Sequence, residues 1–290
     1  MTRTAPVTVV VPAFNAAPFL GVTLEALQSQ TAAPEEILVV DDGSTDGTAA
    51  LAEQMGVRVI QQEQKGPGAA RNRGIQESNT EFVAFCDADD WYVPDKLERA
   101  VAMLEKLGAA CTATDAWIVS NDRVQGRKNE HRPVPSVLTL EFLLRGNPIV
   151  CSSVVARRDA IIQAGSFNES PDLIATEDYD LWLRMAVKEP IAYTPRPMTF
   201  YRLHEASLSA NTRFLNGIEH ILTEVAKQHQ GEAHFQNLIK RRRADVRLDL
   251  AWDMMSDGDY VGARSLIKEA QKLASTWKGF KMQLRTLLKR

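Results

Sequence analysis

The sequence contains no long apolar run, few cysteines and little net charge. No stretch approaches the roughly 18 consecutive apolar residues that a membrane-spanning helix needs. The three cysteines, Cys86, Cys111 and Cys151, stand far apart, which argues against a disulfide framework and against a zinc site. The formal net charge of −3 gives no general attraction for nucleic acid, and residues 1–6 lack a signal-peptide pattern. We therefore expect a cytoplasmic protein that does not bind nucleic acid.

Strand and helix patterns alternate through the first half of the 290 residues. The β-branched or apolar runs that predict strands lie at residues 7–13, 36–40, 57–61 and 81–86. Helical patterns lie between them, at residues 19–30, 49–55 and 69–77. This rhythm predicts an α/β fold with a Rossmann-like, mainly parallel mixed sheet that is flanked by helices.

The second half alternates less regularly. Residues 111–119 and 152–156 predict strands, whereas Pro195 and Pro197 interrupt an extended segment at 191–201 and predict an edge strand or a loop there. Beyond about residue 211 the pattern is helical, and two helical runs flank a turn at 256–260. We expect an α/β domain at residues 1–210 and a C-terminal helical extension at 211–290.

Acidic residues follow the fourth predicted strand. Asp87, Asp89 and Asp90 come directly after an apolar run, at the edge of the sheet where α/β proteins bind ligands. Three carboxylates so close together repel one another unless a cation lies between them. A divalent cation held in this way usually serves a phosphate-bearing ligand. A solvated acidic turn is the alternative.

An ordered set of motifs resembles the family-2 inverting glycosyltransferases of the GT-A fold. The string VDDGSTDGT at 40–48 is the first point of resemblance. The other motifs follow in the family's order: PAFN at 12–15, GPGAARNRG at 66–74, DADD at 87–90, EDYDLWLR at 177–184 and YRLH at 201–204. The resemblance covers roughly residues 5–210. It implies a nucleotide-binding half at about 1–110 and an acceptor half at about 111–210.

The resemblance also implies a nucleotide site at the strand ends. An aspartate there can accept hydrogen bonds from the imide N–H of uracil or from ribose hydroxyls, and the family favours Asp42 over Asp41 for the base. The expected nucleotide-binding residues are Pro12, Phe14, Asn15, Asp41, Asp42, Lys65, Arg71, Asp87 and Ala88. A turn in which Asp46 caps the next helix is the alternative at the second strand end.

A metal site is implied by the same motifs. In the family the second aspartate of the Asp-x-Asp pair, here Asp89, binds Mn²⁺ or Mg²⁺, which bridges the two donor phosphates. A dication stabilises the charge that develops on a departing diphosphate. His204 is expected to complete the metal site or to contact a phosphate, because an imidazole can do either. A purely structural histidine is the alternative.

The catalytic base is expected in the pair Glu177 and Asp178. Inversion by direct displacement needs a base beside the acceptor hydroxyl, and the family places it at the aspartate, with Glu177 assisting or orienting the acceptor. A carboxylate at a helix N-terminus usually has its ionised form favoured. Helix capping without chemistry is the alternative. Asn147 and Trp182 are expected on the acceptor side, and Trp182 could equally belong to the core.

The C-terminal residues 276–290 are basic and amphipathic. They contain no acid and include Lys278, Lys281, Arg285, Lys289 and Arg290. Apolar residues at helical spacing accompany them: Trp277, Phe280, Leu284 and Leu287 or Leu288. Such a helix suits the surface of an anionic membrane, which would place the protein at the inner face of the plasma membrane. The residues favour instead a helix packed on its own hairpin, or an oligomer contact, so peripheral membrane contact is the alternative.

Together these features predict a metal-dependent inverting glycosyltransferase. It would move a sugar from a nucleotide-diphosphate donor, a UDP-sugar, to a hydroxyl of a glycan, lipid-linked or protein-linked acceptor in surface polysaccharide or glycoconjugate synthesis. One alternative is a sugar-nucleotide nucleotidyltransferase, although PAFN replaces the Gly-rich basic signature expected at its first strand end. The other is a non-catalytic sugar-nucleotide-binding protein of the same fold, against which the intact acidic pairs argue.

Overall fold

A computed structural model describes residues 3–204 and 212–288. Lys289 and Arg290 of the basic tail lie outside these residues. The strands are β1 Arg3–Ala13, β2 Ala32–Asp41, β3 Arg58–Gln61, β4 Phe82–Phe85, β5 Trp91–Tyr92, β6 Cys111–Ser120, β7 Arg123–Arg127, β8 Val137–Leu138, β9 Val155–Arg157 and β10 Ile191–Leu203. The α-helices are α1 Ala17–Gln28, α2 Thr48–Gln54, α3 Pro67–Glu77, α4 Lys96–Leu107, α5 Leu140–Leu143, α6 Arg158–Gln163, α7 Glu177–Lys188, α8 Thr212–Gln228, α9 Ala233–Ser256, α10 Tyr260–Leu273 and α11 Trp277–Leu288.

The described strands form one mixed sheet with the order β3-β2-β1-β4-β9-β6-β10-β5. The strands β1, β2, β3 and β4 pair in parallel, as their alternation with helices predicts. In the second half β9 pairs antiparallel with both β4 and β6, whereas β10 pairs in parallel with β6. The carboxyl ends of β1, β2 and β4 therefore share one edge of the sheet.

The core beside β1 follows from two periodicities. Val7, Val9 and Val11 alternate along β1, so their side chains lie on one face of the sheet. In α1, Leu20, Leu24 and Leu27 lie on one helical face, and all six side chains are fully buried in the same cluster. On the opposite face Gly74 of α3 lies against Val10, because a Cβ built on this glycine would come within 2.3 Å of Val10 Cγ1. This close approach fixes α3 on the sheet.

Strand β10 differs from the expected edge strand or loop. It is an inner strand, with β6 on one side and β5 and β8 on the other. Its two prolines are tolerated because β5 pairs only with Thr199 and Phe200, and β8 only with Ile191 and Ala192. Toward β6 the register shifts between Thr194 and Thr199, where the prolines lie. The prolines thus fall where the ladder needs no donor.

The chain divides into two compact units. The first comprises Met1–Leu140, Pro148–Glu169 and Glu177–Ala206, and it contains the sheet. The second comprises Glu141–Asn147, Ser170–Thr176 and Ser207–Arg290. None of the helices in the described ranges has both the length and the apolar character that crossing a membrane requires.

The second unit contains the helical hairpin that the sequence predicts. Helices α9 and α10 flank a short turn, and Asp259 caps α10 by accepting a hydrogen bond from Gly262 N at 2.9 Å. A buried cluster joins the two helices to α11 and consists of Ala244, Leu248, Ala251, Ala263, Ile267, Ala270 and Met282. The alanines allow the helix backbones to approach closely.

Candidate active site

The loop after β3 is held by Asp42. Asp42 Oδ1 accepts hydrogen bonds from Gln62 Nε2 at 2.7 Å and from Lys65 N at 2.9 Å, and Oδ2 accepts one from Gly66 N at 2.7 Å. A carboxylate offers about four acceptor positions, so at most one is left for a nucleotide. Asp41 is also buried, and its Oδ1 accepts a bond from Ser44 N at 3.1 Å.

The ends of β1 and β2 are tied together through Asn15. Asn15 N donates to Ser44 Oγ at 2.8 Å, and Asn15 Oδ1 accepts a hydrogen bond from Thr45 N at 2.9 Å. Its positive φ of 48° is one that asparagine tolerates better than most residues. Next to it Phe14 is 46% exposed, and Pro12 pairs with a residue of β2. A flat apolar ring at a strand end is suited to contact a nucleotide base.

The acidic strand end after β4 is fixed by hydroxyl groups. Asp87 N donates to Ser152 Oγ at 2.9 Å, and the carbonyl oxygen of Ala88 accepts from Thr23 Oγ1 at 2.8 Å. The sequence motifs assigned no chemical role to Ser152. Its signal in the sequence is a pair of serines inside the apolar run at 149–155.

Asp89 and His204 come together from positions 115 residues apart. Asp89 Oδ2 lies 2.9 Å from His204 Nε2, and each side chain keeps a little over a quarter of its surface exposed. The imidazole stacks on Phe19, with the ring centroids 5.1 Å apart. Burial, and then the neighbouring charge of Asp87, raise the pKa of Asp89. A carboxylate whose charge is unfavourable in this way would gain from a cation.

The residues present fit a cation that is shared with a ligand, rather than one held by protein alone. Within residues 3–204 and 212–288 no group of three or more His, Cys, Asp or Glu side chains could hold a metal ion. Asp89 and His204 offer two ligands. Mg²⁺ and similar ions are commonly held by one or two protein groups together with phosphate oxygens and water.

Asp90 and Arg202 stabilise this strand end through a hydrogen bond to a buried carboxylate. Asp90 is fully buried, and its Oδ1 accepts a hydrogen bond from Arg202 N at 2.9 Å. Burial raises the pKa of Asp90 well above its ordinary value. The Arg202 guanidinium lies over the rings of Phe19 and Trp91, 5.3 and 4.9 Å from their centroids. Arg202 therefore supports the Asp89–His204 pair.

Arg71 joins the donor and acceptor sides of the predicted site. Its Nη2 donates to Asp87 Oδ1 and its Nη1 to Glu177 Oε1, both at 2.7 Å. Arg71 is only 4% exposed, and its guanidinium lies 5.4 Å from the Phe167 ring centroid. In this structure the side chain that was expected to bind the nucleotide holds two acidic side chains in place.

Asp178 follows Glu177 in the first turn of α7. Asp178 Oδ1 accepts a hydrogen bond from Tyr179 N at 2.6 Å. Desolvation, and then the charge of Glu177, raise the pKa of Asp178 to about 7, although the charge of Arg71 opposes the shift. The helix N-terminus was expected to favour the ionised form, but burial outweighs it here. A carboxylate with a pKa near neutrality is suited to general base catalysis.

Three further residues that the sequence analysis placed in the site have other surroundings in the structure. Lys65 is exposed and takes part in the loop through its backbone N–H. Trp182 is fully buried beside Phe85 and Phe167, so it belongs to the core instead of the acceptor surface. Asn147 is half-buried and lies in the second unit.

Lys96 is a buried cation that the motifs did not indicate. Its Nζ donates to Ser153 O at 3.1 Å and lies 4.2 Å from the Tyr92 ring centroid. Burial lowers the pKa of Lys96 to about 7. It lies in the first turn of α4, where the amphipathic pattern gave no reason to expect a buried charge.

Comparison with known proteins identifies the class to which this sheet and these acidic strand ends belong. The sequence model described as glycosyl transferase family 2 matches residues 8–165, which is more than half of the chain. The chain therefore belongs to this family and is a glycosyltransferase.

Two bacterial relatives align over most of their length. TuaG of Bacillus subtilis, a glycosyltransferase named for teichuronic acid biosynthesis, is 29% identical over 73% of this chain and 84% of its own. WfgD of Escherichia coli is 28% identical over 71% of this chain and 80% of its own. It is named as a UDP-Glc:α-D-GlcNAc-diphosphoundecaprenol β-1,3-glucosyltransferase.

Solved structures share the fold. TarS 1–349 of S. aureus, in complex with UDP-GlcNAc, superposes with a TM-score of 0.68 at 18% identity and covers 97% of this chain and 88% of its own. The mannosyltransferase PcManGT of Pyrobaculum calidifontis, in complex with GDP-Man and Mn²⁺, has a TM-score of 0.61 at 19% identity and covers 99% and 81%. The fold is thus of the GT-A glycosyltransferase type with a C-terminal helical region, as the motifs predict.

Proposed function

We propose that this glycosyltransferase moves a sugar from a UDP-sugar to a hydroxyl group of a glycan or lipid-linked acceptor, with inversion and with a divalent cation. The setting is synthesis of a surface polysaccharide or glycoconjugate. The proposal rests on one observation: a single buried guanidinium, that of Arg71, contacts both Asp87 on the donor side and Glu177 beside the candidate base. The name of WfgD gives a UDP-sugar as donor and a lipid-linked sugar as acceptor, and TarS has been crystallised with UDP-GlcNAc.

The nucleotide would lie along the ends of β1, β2 and β4. Phe14 offers an exposed ring for the base, while Asp41 and Asp42 offer carboxylate acceptors for the imide or the ribose. Asp87 and Ala88 lie at the next strand end. Residues 1–110 would then form the nucleotide half, residues 111–210 the acceptor half, and residues 211–290 a helical extension.

Asp89 and His204 would hold Mn²⁺ or Mg²⁺ together with the diphosphate oxygens of the donor. When bound, the cation stabilises the negative charge that develops on the departing diphosphate. Arg202 keeps the pair in position, because its backbone and guanidinium both contact the Asp89–Asp90 segment.

Asp178 would act as the base. It takes the proton from the acceptor hydroxyl while that oxygen attacks the anomeric carbon on the face opposite the diphosphate. The bond between the anomeric carbon and the diphosphate oxygen breaks, and its electron pair leaves with UDP. Glu177 is fixed by Arg71 and raises the proton affinity of Asp178 through its charge. One displacement of this kind inverts the anomeric centre.

The outward face of α11 would contact an anionic membrane. Trp277 is 69% exposed, and Phe280 and Leu284 are each 46% exposed, whereas Met282 on the opposite face is buried. Lys281 Nζ lies 5.4 Å from the Trp277 ring centroid, and the Arg285 guanidinium lies 5.2 Å from the ring centroid of Trp252 in α9. A face of aromatic and basic residues is suited to the interface of anionic lipids. This contact would bring the enzyme to a lipid-linked acceptor.

The test is UDP release from a panel of UDP-sugars, with and without Mn²⁺ and a GlcNAc-diphospho-lipid acceptor. We expect release to require both, and Asp178→Asn to lower it by about 10²–10⁴-fold. Asp159→Asn, which changes an exposed acid on α6, is expected to retain parental activity. If Asp178→Asn turned over at the parental rate, Asp178 would not be the catalytic base. Pyrophosphate release from UTP and a sugar 1-phosphate would indicate a nucleotidyltransferase instead.

A further inference from the structure

A polar pocket lies beside β6 and β10, and its walls include none of the residues expected to bind the nucleotide. Its volume is about 420 Å³, and its walls include Asp115, Arg127, Asn129, His131, Arg132 and Tyr193. This volume falls within the range of small-molecule sites, roughly 300–1,000 Å³. The pocket could therefore hold a sugar or a group of similar size.

The floor of the pocket is a hydrogen-bonded unit. Asn129 Nδ2 lies 3.1 Å from Asp115 Oδ1, 2.9 Å from Pro148 O and 3.1 Å from the Tyr193 hydroxyl. Asn129 N and Ala116 N also donate to Asp115 Oδ1, at 3.2 and 2.9 Å. Asp115 and Tyr193 are only 2% and 1% exposed. These bonds fix the floor and offset part of the charge of Asp115.

The walls of the pocket carry two arginines. Arg127 and Arg132 lie there together with His131 and the carboxylates of Asp115 and Glu130. Both arginines are close enough to Tyr193 for their charges to act on its hydroxyl. The Arg127 guanidinium makes no ion pair with any residue that the structure describes, since only its backbone N–H donates to a carboxylate, Glu130 Oε2 at 3.3 Å. Its planar donor edge is therefore available to a ligand.

Lys128 links this pocket to the candidate base. Its Nζ lies 5.9 Å from the Tyr201 ring centroid, and its backbone N–H donates to Ala116 O at 2.9 Å. The negative charges of Asp178 and of Asp115 both act on its ammonium group. The pocket floor and the candidate base are therefore both within electrostatic reach of one cation.

We propose that this pocket receives an anionic group of the acceptor, a phosphate or a carboxylate, and so presents a hydroxyl of the same molecule to Asp178. This inference rests on the proposed function. Arginine binds both anions through paired N–H donors. A phosphate would come from a lipid-diphosphate acceptor, and a carboxylate from an acidic sugar.

The first test compares matched acceptors that differ only in charge. One pair is a GlcNAc-diphospho-lipid and the corresponding uncharged alkyl glycoside; the other is a uronic acid glycoside and its neutral hexose counterpart. We expect the parent enzyme to favour one anionic member, and Arg127→Gln to raise KM for that member by about 10–100-fold. The KM for the neutral members is expected to stay the same. Arg123→Gln, an exposed arginine of the same hairpin, is the control and is expected to match the parent.

A second test does not depend on turnover. Inorganic phosphate and glucuronate are titrated into the parent, Arg127→Gln and Arg123→Gln with UDP and Mn²⁺ present to fill the donor site. We expect one anion to bind the parent and the control equally and Arg127→Gln more weakly. Equal binding to all three, no binding of either anion, or an equal loss on neutral acceptors would overturn the inference. If anion binding depends on Arg127 but no sugar transfer is detected, the pocket is an anion-binding site and the proposed function is refuted.

Discussion

Arg71 donates from Nη1 to Glu177 Oε1 at 2.7 Å, and the two buried side chains are 106 positions apart in the sequence. The same guanidinium holds Asp87 at 2.7 Å. The geometry of the site thus depends on one cation that is itself shielded from solvent.

Arg71→Met is expected to lower the free energy of unfolding by about 3–5 kcal/mol, because it leaves Glu177 buried without its cation. Arg73→Met is the matched control on the same helix. Arg73 pairs with Glu77 at 2.9 Å, but half of its side chain is exposed, so the expected loss is about 1 kcal/mol or less. Urea denaturation of both variants measures the difference. Equal losses would contradict the role of the buried contact.

The activity of the enzyme is expected to fall as the pH drops through about 7. Asp178 must be ionised to accept a proton, and burial raises its pKa to about 7. Below that value kcat/KM should fall about tenfold per pH unit, and above it the profile should level off. An initial-rate profile from pH 5 to 9 tests this. A profile that is flat down to pH 5 would contradict it.

Stability is expected to change in the opposite direction. Between pH of about 4 and 7 the folded protein keeps the proton on Asp178, while an unfolded aspartate with a pKa near 4 has lost it. The folded state binds more protons, so this residue lowers stability as the pH rises through that window. Asp178→Asn, which cannot ionise, should therefore be more stable than the parent at pH 8, although its activity is lower. Thermal unfolding at pH 5 and pH 8 measures the effect, and a variant less stable at pH 8 would refute it.

Asp89→Asn is expected to weaken cation-dependent UDP binding by at least tenfold, because it removes a charged ligand from the Asp89–His204 pair. Binding of UDP without a cation should change little. Calorimetric titration of UDP with and without Mn²⁺ separates the two effects. His204→Gln should behave like Asp89→Asn, whereas His220→Gln, at an exposed position of α8, should match the parent. A loss of equal size with and without Mn²⁺ would argue against cation binding at this pair.

Two glycine substitutions are expected to have opposite effects on stability. Gly74→Ala would place a Cβ within 2.3 Å of Val10 Cγ1, so α3 must move from the sheet at a cost of about 1–3 kcal/mol. Gly21 lies in α1, and a Cβ there meets nothing within 4 Å. Gly21→Ala should therefore stabilise the protein by about 0.5–1 kcal/mol. Urea denaturation measures both changes, and a neutral Gly74→Ala would contradict the close packing.

Trp277→Ser combined with Phe280→Ser is expected to reduce sedimentation with anionic vesicles, because it removes the exposed aromatic face of α11. Val261→Ser is the control, since Val261 is 78% exposed on another helix of the same unit. Neither change should affect the weak binding expected for zwitterionic vesicles. If all three proteins sediment equally with anionic vesicles, α11 does not make this contact.

The strand-end residues could be predicted because they depend on short-range patterns. Asp42, Asp87 and Asp89 each follow a short apolar run, and the βαβ alternation brings the carboxyl ends of such runs to one edge of a sheet. The helical C-terminal region followed in the same way from its periodicity. The positions of Glu177 and Asp178 at the start of α7 could likewise be derived from the helix that follows them.

Features that depend on distant partners could not be predicted. The prolines of β10 predicted an edge strand of the sheet. However, β5 and β8 each pair with only two residues of β10, so no backbone hydrogen bond is required from either proline. The burial of Trp182 depends on Phe85 and Phe167, which no local pattern connects to it. Desolvation is the largest cause of the raised pKa of Asp178. The sequence predicts only that Asp178 lies at the N-terminus of a helix, not that it is buried.

The loop fixed by Asp42 leads directly into α3, where Arg71 lies one turn inside the helix. The guanidinium at that position is already fixed between Asp87 and Glu177, at 2.7 Å from each. One continuous set of contacts therefore runs from the end of β2, through the loop and α3, to the start of α7. A substitution that loosens the loop at Asp42 is thus expected to be transmitted to Glu177, although the two side chains share no direct contact.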